Sequence, residues 1–179
     1  MNIVQPIRDK RQIEKMKSFL RNQSERNYMY FLVGINSAFR VGDLRMLKVK
    51  DVRNKDHFYI RTRKKNKTQR MLINPLLKEE LTRYIEKMDD EGYLFISGKG
   101  DALSRQQDWR ILKAAARSCG VQEVGCHTTR KTFGFWHYQK YHDIAVLQSL
   151  LGHESPADTY RYIGINEDLK DDSMRDFYL

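Results

Sequence analysis

The sequence is poor in the features that would tie it to an oxidising or membranous setting. Its two cysteines, Cys119 and Cys126, are too few for a disulfide framework, so a reducing, cytoplasmic setting is expected. The longest nearly uncharged apolar stretch, Tyr28 to Phe39, is about 12 residues, whereas a membrane span needs about 20. The first residues, MNIVQPIRDKRQ, hold no apolar run of signal-peptide length. No membrane partner is expected. Only three prolines occur, so helices meet few forced breaks. No Pro/Gly/Ser-rich linker, internal repeat or low-complexity segment divides the 179 residues, a length that fits one domain.

Acidic residues are also in the minority. Thirty-three Lys and Arg stand against 23 Asp and Glu, a net charge of +10. An excess of that size points to a polyanionic partner, and with membranes set aside that partner is nucleic acid. Plain solubility is the competing explanation. With 40% hydrophobic residues the chain reads as globular rather than disordered.

Hydrophobic periodicity predicts a mainly α fold with one small antiparallel β-sheet (α+β). Ile13, Met16, Phe19 and Leu20 share a helix face within Asp9 to Arg21. Further helices are expected from Ser24 to about Ala38, from Val41 to Leu47, and from Asn74-Pro75 to about Met88. Residues 57–61 and 69–73 read as strands flanking a basic turn, Arg63 to Thr68, and Val49 to Arg53 reads as a possible third strand. Leu94 to Ile96 reads as a short strand or an extended link. Later helices open at Ser104, Thr128, Asp143 and Ser155-Pro156, with Gly120 and Gly152 as stops.

Four segments carry phosphodiester chemistry when taken together. Arg40, in AFRVGDL, offers a guanidinium that grips two phosphate oxygens, with Asp43 to hold it or the local backbone. A surface arginine with an acidic neighbour is the plain alternative. The turn lysines, Lys64, Lys65 and Lys67, can reach a groove and protonate a leaving oxygen, or simply solvate a hairpin tip. His127 and Arg130, in HTTR, share a face at a helix entry that favours an anion. Finally, His153 of LLGH precedes Tyr162 by nine positions across a helix–turn–helix bend. A packing role is the plain alternative for Tyr160 and Tyr162. Phosphoryl transfer needs a nucleophile, charge compensation and a proton for the leaving oxygen. Two arginines can supply the compensation that metals supply elsewhere, so neither metal nor other cofactor is expected.

AFRVGDL, the lysine-bearing hairpin, HTTRKTF, LLGHES and TYRYIGI together resemble the tyrosine recombinase, or phage integrase, family. They span about Met29 to Ile165 in the family's order. The resemblance implies that Arg40 and Arg130 bind the scissile phosphate. His127 would assist as general base, and His153 would bond a phosphate oxygen. Tyr162 would attack phosphorus to give a 3′-phosphotyrosyl link and a free 5′-hydroxyl. A hairpin lysine, best matched by Lys64 and next by Lys65, would protonate that oxygen. Arg63, Lys65, Lys67 and Lys131 would contact DNA. Asp43 departs from the family's usual Glu. Tyr160 lies two residues early, about 200° round a helix from Tyr162.

The implied function is site-specific DNA recombination or integration, as in phages and other mobile elements. The implied partner is double-stranded DNA, carrying a homo-oligomer (a tetramer), with a monomer as the expected state of the chain in solution. The expected organisation is one catalytic domain over 1–179, with its core at about 24–165. The tail at about 166–179 would dock on a neighbouring protomer. Because Arg40 comes so early, no N-terminal core-binding domain is expected, a resemblance to stand-alone fimbrial phase-variation recombinases. Three rivals remain: a catalytically weak DNA-binding accessory protein of the same fold, a type IB topoisomerase, and a zinc site from Cys119, Cys126, His127, His137 and His142. The last lacks tight ligand spacing.

Overall fold

The computed structural model describes residues 4–62, 67–165, 171, 174–175 and 177–178. Eight α-helices, one 3₁₀ turn (Val49–Asp51) and one hairpin make up the described elements: α1 (Lys10–Gln23), α2 (Glu25–Ile35), α3 (Val41–Arg45), β1 (His57–Thr62), β2 (Lys67–Leu72), α4 (Pro75–Tyr84), α5 (Arg105–Ser118), α6 (Thr128–Tyr141), α7 (Ile144–Leu151) and α8 (Pro156–Ile163). This is the mainly helical architecture with a two-stranded antiparallel sheet that periodicity predicts.

α2 is the central post. Every residue from Asn27 to Gly34 is buried, because α1, α4 and α6 all pack on it. A helix that is apolar on every side can only be satisfied in this way. α1 adds Ile13, Met16 and Leu20 to the core, and Ile7 is buried just before it. The core therefore begins well before residue 24. Asp9 caps α1, its carboxylate accepting from the Arg11 N–H. Ser104 and Gln107 form a reciprocal cap on α5.

α3 ends at Arg45 rather than Leu47, and β2 runs Lys67–Leu72 rather than over 69–73; three further differences from the sequence reading each trace to a side chain that competes for backbone. α2 stops at Ile35 because the Ser37 hydroxyl donates to the Val33 carbonyl (2.6 Å) and the Asn36 amide to that of Leu32 (2.9 Å). α4 stops at Tyr84. Arg53 donates to the Ile85 and Met88 carbonyls at 3.0 and 2.6 Å, closing the chain into a turn. Val49 to Arg53 is not a strand. Val49–Asp51 is a 3₁₀ turn, with the Lys48 N–H donating to Asp51 Oδ2 (2.8 Å). Leu94 to Ile96 is an extended link, tied by the Leu94 N–H to the Leu47 carbonyl at 2.7 Å.

The hairpin pairs Phe58 with Met71 and Tyr59 with Arg70. Its alternation is one-sided: Phe58 and Met71 are buried, while Tyr59 and Leu72 are exposed. The buried pair is what docks the hairpin beside Arg40.

Candidate active site

Arg40 is positioned by the residues just before it. The Ala38 N–H donates to the Met71 sulfur at 3.2 Å, and Phe39 packs edge-on against Phe58 with ring centroids 5.0 Å apart. Both anchors belong to the root of the hairpin, so β1–β2 and Arg40 are placed together. Arg40 then takes an extended conformation at the entry to α3, and its side chain is exposed. Its carbonyl accepts from the Asp43 and Leu44 N–H groups, both at 2.9 Å. The described ion pairs include none between Asp43 and Arg40; the Asp43 carboxylate acts instead on Arg130, favouring its charged form.

Arg130 sits in the first turn of α6 and is only 4% exposed. Its Nη2 donates to the carbonyl of Leu151, the last residue of α7. That bond ties the α6 entry to the α7 exit. Its Nε is buried without a partner. Burial lowers its pKa, with the Arg40 charge adding to that push.

His153 follows Gly152, which ends α7 in the left-handed conformation (φ 61°) that a side-chain-bearing residue adopts at a cost. α8 follows, capped by Ser155, whose hydroxyl accepts from the Asp158 N–H at 3.0 Å. This bend brings His153 against Tyr162, with ring centroids 4.9 Å apart. The His127 ring lies 6.4 Å from the same Tyr162 ring, nearly perpendicular to it. The Arg130 guanidinium carbon is 5.8 Å from that ring's centre and the Lys131 ammonium 5.2 Å. His127, Arg130, Lys131 and His153 thus surround one phenol.

Two buried polar atoms of the site lack a partner among the described residues, Arg130 Nε and the Tyr162 hydroxyl. The Tyr162 hydroxyl is buried and has no hydrogen-bond partner among the described residues. Burial raises its pKa, and the charges of Arg130 and Arg40 oppose that rise. Both histidines are held below their ordinary range. For His127, open to solvent as a residue, the causes are desolvation of its ring and then the charges of Arg130, Lys131, Arg105 and Arg40. For His153 they are burial, Arg130 and Arg40, with Asp158 opposing. The Lys131 ammonium is pushed down by burial. Tyr160 points elsewhere, packing edge-on against Tyr138 at 5.6 Å.

Of the hairpin residues, Arg63, Lys64 and Lys65 lie outside the described residues, and Lys67 is described only as the backbone start of β2. Among the described residues no three of His, Cys, Asp and Glu are grouped to hold a metal ion. His137 lies between the Phe133 and Tyr141 rings. No described helix is long and apolar enough to cross a membrane.

The sequence reading missed two contributors. Arg105, the first residue of α5, carries charge that acts on His127. It also starts an exposed stripe through Trp109, Arg110, Lys113 and Arg117. The spacing of 105, 109, 113 and 117 along one helix face was the available signal. Thr159, buried beside His153, carried no signal of its own beyond its place one turn before Ile163.

The sequence matches the Phage integrase family over residues 8–168. It is 48% identical over 169 residues to the probable integrase/recombinase YoeC of Bacillus subtilis, covering 94% of this chain and 93% of that one. Tyrosine recombinase XerA of Pyrococcus furiosus shares 29% over 156 residues, which is 84% of this chain but 54% of XerA. The chain therefore spans nearly all of YoeC and about half of XerA. Among solved structures, XerA recombinase superposes with a TM-score of 0.78 over 99% of this chain and 66% of that chain, at 22% identity. A lambda integrase dimer bound to a COC′ core site gives 0.71 over 100% and 64%, at 17% identity. By its fold and its sequence, the chain belongs to the phage integrase family, the tyrosine recombinases, and carries that family's catalytic domain.

Proposed function

We propose that this chain cleaves and rejoins DNA strands at specific sites, with Tyr162 as the nucleophile. The observation that carries the reading is the buried Tyr162 hydroxyl, left without a partner among Arg130, His127, His153 and Lys131. A buried polar group normally finds a partner, and a scissile phosphate is the partner this cationic surround fits.

The phenol oxygen bonds to phosphorus as the bond from phosphorus to the 5′ oxygen breaks. The phenolic proton passes to His127, whose lowered pKa keeps it neutral and able to accept. Arg40 and Arg130 hold the non-bridging oxygens, and burial of Arg130 strengthens its pull. His153 bonds one of those oxygens, and Lys131 lies close enough to share in holding the phosphate. Asp43 supports the charge of Arg130. Lys64, with Lys65 as second choice, protonates the 5′ oxygen. The phosphotyrosyl link keeps the bond energy, so a different 5′-hydroxyl reverses the step without ATP.

DNA lies along the exposed stripe of α5, where Arg105, Arg110, Lys113 and Arg117 neutralise phosphates. Arg63, Lys65 and Lys67 add to this from the hairpin. The working assembly is a homo-tetramer on double-stranded DNA, each copy one catalytic domain. The tail at 166–179 docks on the next copy, so deleting Asp171 to Leu179 weakens synapsis more than first-strand cleavage.

The test is covalent trapping. DNA recovered under denaturing conditions from wild-type protein, and sequenced, is expected to share a site; Tyr162→Phe is expected to yield none. Site-specific binding without any adduct would support the accessory-protein reading, and relaxation of random plasmid without site exchange would support a topoisomerase.

A further inference from the structure

The side chain of His153 has one polar partner among the described residues, the Thr159 hydroxyl of α8. Nδ1 is 3.1 Å from the Thr159 hydroxyl oxygen. Thr159 is fully buried, at 0% exposure, and its hydroxyl donates to the Ser155 carbonyl one turn earlier at 3.1 Å. A hydroxyl has one proton to give. With that proton on Ser155, Thr159 meets His153 with a lone pair, and Nδ1 must carry the hydrogen. A hydroxyl turned the other way would leave the Ser155 carbonyl with only the longer bond from the Thr159 N–H, 3.3 Å. A neutral imidazole that donates from Nδ1 has a bare Nε2.

We infer that Thr159 is a positioning residue that holds neutral His153 in the Nδ1–H form, so that His153 donates to a phosphate oxygen only as an imidazolium. This rests on the strand-cleavage reading above. Four groups act on the ring: Tyr162 of α8 packs edge-on against it, and the charges of Arg130 from α6, Arg40 ahead of α3 and Asp158 from α8 reach it. The two arginines and burial favour the neutral ring, with Asp158 opposing. An arriving phosphate brings the negative charge that favours the cation. Protonation of His153 is thereby coupled to occupancy of the site, and Thr159 enforces the coupling by closing the route through a neutral Nε2–H. Wild-type cleavage should therefore decline as pH rises through the pKa of His153 in the DNA complex.

Nitrogen–proton correlation spectra of protein carrying isotope-labelled histidine, with His153 assigned through His153→Asn, read the tautomer without DNA at a pH where the ring is neutral. Wild type and Thr159→Ser are expected in the Nδ1–H form. Thr159→Val, which keeps the shape but not the hydroxyl, is expected to shift toward Nε2–H. Single-turnover adduct formation across pH then reads the consequence: wild type and Thr159→Ser keep the alkaline decline, and Thr159→Val loses it. A wild-type proton on Nε2, an unchanged tautomer in Thr159→Val, or superimposable pH profiles for the valine and serine variants overturns the inference. The expected tautomers with no adduct from any variant would instead sink strand cleavage and leave the tautomer assignment standing.

Discussion

The guanidinium carbon of Arg130 stands 5.8 Å from the centre of the Tyr162 ring, and Arg130 reaches that position while donating to the carbonyl of Leu151. One side chain thus binds the exit of α7 and faces the phenol presented by α8. Replacing it separates charge from shape. Arg130→Lys keeps a cation but loses the planar fork. Its adduct rate should fall about 100- to 1,000-fold, the cost of removing one preorganised donor from a reacting centre. Single-turnover trapping measures this, and a rate within a few-fold of wild type would remove Arg130 from the chemistry.

The approach of α8 to α6 depends on a missing side chain. A Cβ on Gly134 would lie 2.7 Å from the Ile163 Cγ2 methyl, next door to Tyr162. Gly134→Ala should cost roughly 1–3 kcal/mol through overpacking, and it should slow cleavage by displacing the phenol. Thermal unfolding and adduct formation together check it. Ile163→Val in the same chain leaves that methyl in place, so it should restore little of either loss, whereas Ile163→Ala should restore cleavage more than stability.

Asp108 predicts a pH dependence of stability. It is 0% exposed, accepts a hydrogen bond from the Tyr30 hydroxyl at Oδ1, and leaves Oδ2 without a partner. Burial raises its pKa to about 6, against the bond from Tyr30 and the charges of Arg45 and Arg105. A raised carboxyl favours the folded state while protonated, so its contribution is full at low pH and is lost as pH rises toward and through 6. The size is about 3 kcal/mol, from roughly two pKa units. His127, His137 and His153, all lowered, act oppositely: their contribution is present above the ordinary histidine range and lost as pH falls through their folded pKa values. The comparison of wild type with Asp108→Asn isolates the carboxyl. Urea unfolding should show the stability gap moving in favour of the asparagine variant as pH rises from 4.5 to 7.5, a range of about three units around that pKa. A gap constant with pH contradicts the assignment.

The α5 stripe predicts salt dependence. Substituting Arg110, Lys113 or Arg117 by Ala should each weaken DNA binding across sequences and reduce the slope of log affinity against log salt by about 1. Fluorescence anisotropy at several salt concentrations tests this. Unchanged slopes would move the DNA off this face.

Much of this site is legible before any fold is known, because the informative residues sit at helix ends. Ser155-Pro156 and Gly152 mark a helix–turn–helix bend in the sequence alone, and the bend is what sets His153 beside Tyr162. The His127–Arg130 spacing likewise follows from one helical turn. What sequence could not give is contact between distant segments. Asp43 reads as a partner for its neighbour Arg40, yet its charge acts on Arg130, 87 positions away. Val49 to Arg53 has strand-like composition, but only its Val49 and Lys50 N–H groups reach across, to the Gly92 and Asp90 carbonyls, while those of Asp51, Val52 and Arg53 turn back to Lys48 and Val49. Arg105 becomes relevant to His127 only once α5 and α6 are folded together.

The most direct measurement is the mass of the peptide that holds DNA after the trapped adduct is digested with nuclease and protease. The account predicts a nucleotide joined through its 3′ phosphate to Tyr162, with Tyr160, packed against Tyr138, unmodified. A nucleotide on any other residue, or no covalent link on a substrate that the protein demonstrably binds and whose site it selects, would contradict it.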